Sequence, residues 1–121
     1  MARVLLVEDV PNNREIYRTI LEHAGHTVVE AVNGAAGIEL ARSESPDVIV
    51  MDVTMPLMDG LEATRRLKAD RGTAGIPVLI LTAHAYDSDR EDAMRAGADA
   101  YLAKPCPPRT VVQEVERLVG A

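Results

Sequence analysis

Five short apolar runs, each followed by a segment with helical spacing, constrain what this 121-residue chain can fold into. The runs are Arg3–Glu8, Thr27–Ala31, Val48–Met51, Pro77–Leu81 and Ala100–Ala103. All five read as short strands, and the continuous apolar stretches of the first, third and fourth read as buried ones. The first intervening helix follows Pro11, with Asn12 as its cap and Gly25 as its stop, and carries an apolar stripe of Ile16, Tyr17, Ile20, Leu21 and Ala24. A turn at Asn33–Gly34 precedes a weakly patterned second helix, about 35–42, which Ser45–Pro46 ends. A third follows Gly60, runs through Leu61, Thr64, Leu67 and Lys68, and passes into a loop at Asp70–Gly75. The fourth, about 88–95, is polar and closes at Gly97, while the last carries Val111, Val112, Val115, Leu118 and Val119 on one face. Strand and helix alternating five times over means right-handed crossovers and a parallel sheet covered on both sides. The expectation is one α/β domain over residues 1–121, since no linker or low-complexity tract interrupts the pattern.

Composition narrows the function. A net charge of −6 argues against a nucleic-acid surface, which needs a basic stripe, and an aromatic content of 2%, with no Trp or Phe, leaves little for bases to stack on. Direct nucleic-acid binding is therefore not expected. The lone Cys106 excludes an internal disulfide and any multi-cysteine metal site, and reads as a small filler in a Pro-rich turn. No apolar run approaches the roughly 20 residues that span a bilayer, and Glu8 and Asp9 cut short anything like a signal peptide. No membrane insertion and a cytoplasmic location follow as expectations.

The chemistry gathers at strand ends. The stretch Val48–Gly60, VIVMDVTMPLMDG, delivers Asp52 to the carboxyl end of a buried strand, where open α/β sheets bind their ligands. Other strands end in Glu8 and Asp9, in Thr82 and in Lys104. A parallel sheet brings those ends to one edge. Three carboxylates together repel one another unless a cation holds them, and an all-oxygen set suits a hard ion such as Mg²⁺. With the Thr82 hydroxyl and the Lys104 charge beside them, they describe a pocket for a phosphoryl group, with a carboxylate able to act as nucleophile. Taken singly, each has a plainer reading: Asp52 as a strand-end cap, Glu8–Asp9 as a helix start, Lys104 as a solvated charge, Tyr101 as core.

In this order and at these strand ends, Glu8–Asp9, Asp52, Met55–Pro56, Asp59–Gly60, Thr82–Ala83, Tyr101 and Lys104–Pro105 make the chain resemble a response-regulator receiver domain of two-component signalling, over essentially its whole length. The resemblance implies a (βα)5 doubly wound, five-stranded parallel sheet of flavodoxin-like order 2-1-3-4-5. It implies that Asp52 accepts a phosphoryl group from a phosphohistidine on a sensor histidine kinase or histidine phosphotransfer protein. Glu8, Asp9, Asp52 and the backbone carbonyl of Thr54 would hold Mg²⁺. Lys104 would pair with the phosphate, and its bond to Pro105 would be cis. Thr82 would move in to hydrogen-bond the phosphate and Tyr101 would swing inward behind it, a two-state switch. Thr54 and His84 would tune the phosphoryl lifetime, while Pro56, Gly60, Ala83 and Pro105 would be structural. His23 and His26 read as helix-end and turn residues.

With nothing after Ala121, no output domain is expected, so signalling would run through contact with a protein partner on the face of the fourth helix, fifth strand and fifth helix. Met1 and the helical end favour a complete stand-alone protein, although Leu81–Tyr86, LTAHAY, also resembles receivers attached to hybrid kinases. Two other functions compete with this reading. An Mg²⁺-dependent aspartyl-nucleophile phosphohydrolase usually has a second acid two residues after its nucleophile, where this chain has Thr54. A docking module that ignores phosphorylation would not need Glu8, Asp9, Asp52, Thr82 and Lys104 all in place.

Overall fold

The computed structural model describes residues 1–53, 59–82, 87–104 and 106–120. Its elements are β1 (Arg3–Val7), α1 (Pro11–His23), β2 (Thr27–Ala31), α2 (Gly34–Glu44), β3 (Val48–Asp52), α3 (Gly60–Ala69), β4 (Val78–Thr82), α4 (Asp87–Arg95), β5 (Ala100–Ala103) and α5 (Pro108–Leu118). The strands form one sheet in the order β2-β1-β3-β4-β5, and every neighbouring pair is parallel. This is the expected doubly wound sheet.

Side chains alternate across a strand, so each central strand feeds two cores. Val4, Leu6, Val48, Val50, Leu79 and Leu81 face Tyr17 and Leu21 of α1 and Val111 and Val115 of α5. Leu5, Val7, Ile49, Met51, Val78 and Ile80 face the other way, onto Ile38 and Ala41 of α2, Ala63 and Leu67 of α3, and Ala93 of α4. β3 and β4 are buried along their whole lengths, which explains their unbroken apolar runs.

Several local expectations change. The cap of α1 is Val10, with no side-chain bond, and Asn12 lies inside the helix. Pro11 takes the first helical position, where its fixed φ and missing N–H cost nothing. Ile16, expected in the buried stripe, is 51% exposed, and Ala24 lies beyond the helix end and is exposed too. The inward face is narrower, built on Tyr17 and Leu21. Asn33 does more than turn the chain: its side chain accepts the Ala36 N–H at 2.8 Å and caps α2, which runs on to Glu44. Gly37 suits α2 because a Cβ there would stand 2.9 Å from Val7 Cγ2, so helix and strand pack closely. Asn33→Ala should cost about 1 kcal/mol of stability by loss of this cap; a urea melt unchanged from wild type would refute the cap's contribution.

His26 is not a simple turn residue. It is buried, its Nδ1 accepts the Ala2 N–H at 3.1 Å, and its Nε2 lies 3.2 Å from Glu116 Oε2. It ties the entrance of β1 to α5. Lys68 makes a comparable tie at the amino end of β4, donating to the carbonyls of Ala74 and Ile76 and to Asp99 Oδ2, which also accepts the Val78 N–H. Cys106 is half-buried, and burial pushes its thiol pKa up with Lys104 opposing, consistent with a filler. Among the described residues, no helix is long and apolar enough to cross a membrane.

Candidate functional site

The carboxyl ends of β1, β3, β4 and β5 bring Glu8, Asp9, Asp52, Thr82 and Lys104 to one edge, as their spacing predicts. Asp52 and Thr82 close their strands, in register with Leu81 and Ala103 respectively. Glu8 follows β1, its N–H donating to the Ala31 carbonyl at 3.0 Å. Lys104 follows β5, its N–H donating to the Thr82 carbonyl at 2.6 Å. The backbone thus sets four of these side chains before any of them interacts.

Glu8 is 1% exposed and Asp52 5%. The Lys104 ammonium joins them, 3.3 Å from Glu8 Oε1 and 3.4 Å from Asp52 Oδ1. Burial opposes that positive charge, yet Asp52 and Glu8 overcome it and hold the Lys104 pKa up. Burial also acts on Glu8, and with Asp52 bonded beside it the carboxyl is pushed up to about 7, against the pull of Lys104. One ammonium does not neutralise three acids. Ligand oxygens of Glu8, Asp9 and Asp52 lie within 4.8 Å of one another, and Glu8 Oε2 and Asp9 Oδ1 are buried without a hydrogen-bond partner among the described residues. Buried, unsatisfied carboxylate oxygens are costly. An all-oxygen donor set with spare lone pairs fits a hard divalent cation.

Arg14 belongs to the site, although its position in the sequence did not mark it. Its Nη1 donates to the Glu8 carbonyl at 2.9 Å and to that of Asp9 at 3.5 Å, while its Nε pairs with Glu30 on β2 at 3.4 Å. It clamps the turn that presents both acids. An arginine within two helical turns of an acidic strand end was the available signal, but such spacing is common. A cavity of about 280 Å³ also adjoins Lys104, lined by Ile16, Tyr17, Cys106 and Pro108 among others. Ile16 and Pro108 continue it into an open groove of about 750 Å³ along α1.

Tyr101 is half-buried on the face of β5 toward α4, and lines a small cavity with Arg90, Met94, Glu114 and Arg117. Gly60 opens α3, directly behind Asp52. Thr54, Pro56, Ala83, His84 and Pro105 lie outside the described residues.

Comparison with known proteins agrees with this arrangement. The family model for the response regulator receiver domain matches residues 4–116. Protein PilH of Pseudomonas aeruginosa is 40% identical over 120 residues, covering 99% of this chain and 99% of PilH. Sensor protein GacS of Pseudomonas syringae pv. syringae is 37% identical over 121 residues, covering 98% of this chain but 13% of GacS. The crystal structure of the receiver domain of sensor histidine kinase PA1611 from Pseudomonas aeruginosa PAO1, with a magnesium ion coordinated in its active site cleft, superposes with a TM-score of 0.91 at 33% identity, covering 99% of this chain and 98% of that one. Carboxylates clustered at the strand ends, the lysine that spans two of them, and this end-to-end likeness together make the chain a member of the response regulator receiver domain family.

Proposed function

We propose that this protein is a phosphorylation switch whose acceptor is Asp52. A carboxylate oxygen of Asp52 attacks phosphorus, the P–N bond of a donor phosphohistidine breaks, and the imidazole leaves with the electron pair. The donor is a sensor histidine kinase or histidine phosphotransfer protein. The observation that carries this reading is the cluster of Glu8, Asp9 and Asp52, with Glu8 and Asp52 buried and Lys104 held against those two.

Glu8, Asp9, Asp52 and the Thr54 carbonyl would hold Mg²⁺. When bound, the ion supplies the charge that lets a phosphoryl dianion approach three acids. Lys104 screens the incoming oxygens as a mobile cation. Thr82 donates a hydrogen bond to the phosphoryl group and Tyr101 responds behind it, while Thr54 and His84 set how long the group survives. Ala83, Pro56 and Pro105 would have supporting roles around the phosphoryl group. The chain would catalyse only its own phosphorylation and dephosphorylation.

The groove along α1 gives a donor helix an apolar seat that leads to Lys104. Output would use the α4-β5-α5 face, where Met94 is 46% exposed among charged residues. We read residues 1–121 as a single receiver unit, which the end-to-end match to PilH supports.

The test is intact mass after incubation with acetyl phosphate, with and without Mg²⁺, on wild type and Asp52→Asn. A single phosphoryl gain that needs Mg²⁺ and is absent from the variant is expected. No gain from acetyl phosphate or from a phosphorylated kinase would overturn the reading.

A further inference from the structure

Resting on the proposed acceptor role of Asp52, the geometry points to Gly60 as a positioning residue for that carboxylate, with Thr64 holding Gly60 in place. Gly60 is buried at the first position of α3, and its N–H donates to the Val53 carbonyl at 3.0 Å. A Cβ added to Gly60 would stand 2.2 Å from the Asp52 carbonyl oxygen, 2.8 Å from the Asp52 carbonyl carbon and 2.8 Å from Val53 Cα. All three are backbone atoms, so no rotamer change could relieve the clash. The φ of Gly60 lies outside the left-handed region. What matters is the missing side chain and not backbone freedom.

The first turn of α3 is therefore seated on the peptide that carries the acceptor. Thr64, fully buried, donates its hydroxyl to the Gly60 carbonyl at 2.7 Å. Asp59 caps the same turn by accepting the Glu62 N–H at 2.8 Å. These bonds fix the shape of the turn, while the Gly60 N–H bond to Val53 and the buried Ala63 and Leu67 hold it against β3, so a substituent on residue 60 must displace the Asp52–Val53 peptide. Displacement there moves the Asp52 carboxylate relative to Lys104, Glu8 and Asp9. A shift on the order of an ångström in a reacting group can cost about a hundredfold in rate.

Other glycines behave differently. The atoms nearest a Cβ at Gly37 all belong to the Val7 side chain, and one at Gly25 meets nothing within 4 Å. Gly25 has a φ of +97°, so Gly25→Ala strains the turn after α1 without touching the site. It separates lost stability from lost positioning.

The experiment compares wild type, Gly60→Ala, Thr64→Val and Gly25→Ala. It measures the phosphorylation rate at saturating acetyl phosphate well below each melting temperature, the Mg²⁺ affinity of the unphosphorylated protein by calorimetry, and the melting temperature. Gly60→Ala should phosphorylate at least about tenfold more slowly at saturation and bind Mg²⁺ more weakly. Thr64→Val should lose about threefold, the scale of one ordinary hydrogen bond. Gly25→Ala should melt lower yet keep both the wild-type rate and the wild-type Mg²⁺ affinity. If Gly60→Ala folds with wild-type rate and affinity, the inference is overturned; if it does not fold, an unchanged Thr64→Val overturns it instead. A wild type that takes no phosphate overturns the acceptor reading itself, and is told apart by that control.

Discussion

Lys104→Met should slow phosphorylation of Asp52 by roughly a hundredfold, the usual cost of removing one placed electrostatic partner from a phosphoryl- or acyl-transfer site. It should also destabilise the resting protein. Lys104 is the cation that reaches both Glu8 and Asp52, whose side chains are almost wholly buried. Removing one partner of a buried ion pair leaves the other charge uncompensated, at about 3 kcal/mol or more. The folded-state pKa of Lys104 is raised, so its stabilising contribution is fully present below the unfolded-state pKa and is lost only as pH climbs through the folded one. From pH 5 to 9 the lysine is therefore charged in both states. The loss in Lys104→Met should be largest near pH 8, where Glu8 must ionise without its partner. It should shrink near pH 5, where Glu8 keeps its proton. Urea melts of the two proteins at both pH values test this, and a loss independent of pH would contradict the ion-pair account.

The unphosphorylated, metal-free protein should lose stability between pH 4.5 and about 7, and Mg²⁺ should restore it. Glu8 is the reason, because burial and the neighbouring Asp52 raise its folded-state pKa from 4.5 to about 7. For an acid displaced upward, the fold favours the protonated form. Below 4.5 both folded and unfolded chains carry the proton. As pH rises the unfolded chain ionises first, so stability falls until Glu8 ionises in the fold as well, near pH 7, and then levels off. The displacement corresponds to roughly 3 kcal/mol. Glu8→Gln should flatten this window, so the stability difference between wild type and variant should change with pH. Mg²⁺ binding to Glu8 needs the carboxylate, so the ion should stabilise wild type more at pH 8 than at pH 5.5 and release a proton near neutrality. Melts at the two pH values, with and without Mg²⁺, check both points. Equal Mg²⁺ stabilisation at pH 5.5 and 8 would remove Glu8 from the set of metal ligands.

Much of the fold was legible because it repeats locally. The apolar runs Val48–Met51 and Val78–Leu81 report burial on both faces of a strand, and Gly25 and Gly97, with φ of +97° and +104°, mark helix ends that only glycine suits. Less legible were features that depend on a partner far along the chain. His26 looked like a turn residue, but it meets Glu116, 90 positions away. Lys68 looked like part of an α3 stripe, but its ammonium reaches Asp99, 31 positions on. Ile16 fitted the α1 stripe by spacing, yet the face that α1 turns to the sheet is too narrow to cover it.

The same division runs through the site. That Glu8, Asp9, Asp52, Thr82 and Lys104 meet follows from residue order alone, because a parallel sheet built of right-handed crossovers puts all strand carboxyl ends on one edge. Residue type and strand position sufficed for that. How those groups share charge came instead from packing: which two acids Lys104 reaches, which oxygens are buried and unpartnered among the described residues, that Glu8 holds its proton up to about neutral pH, and that Gly60 presses on the Asp52 peptide. Protonation and contact depend on separations of a few ångströms and on the exclusion of water. Those quantities are set when the helices pack against the sheet, and no local pattern of residues encodes them.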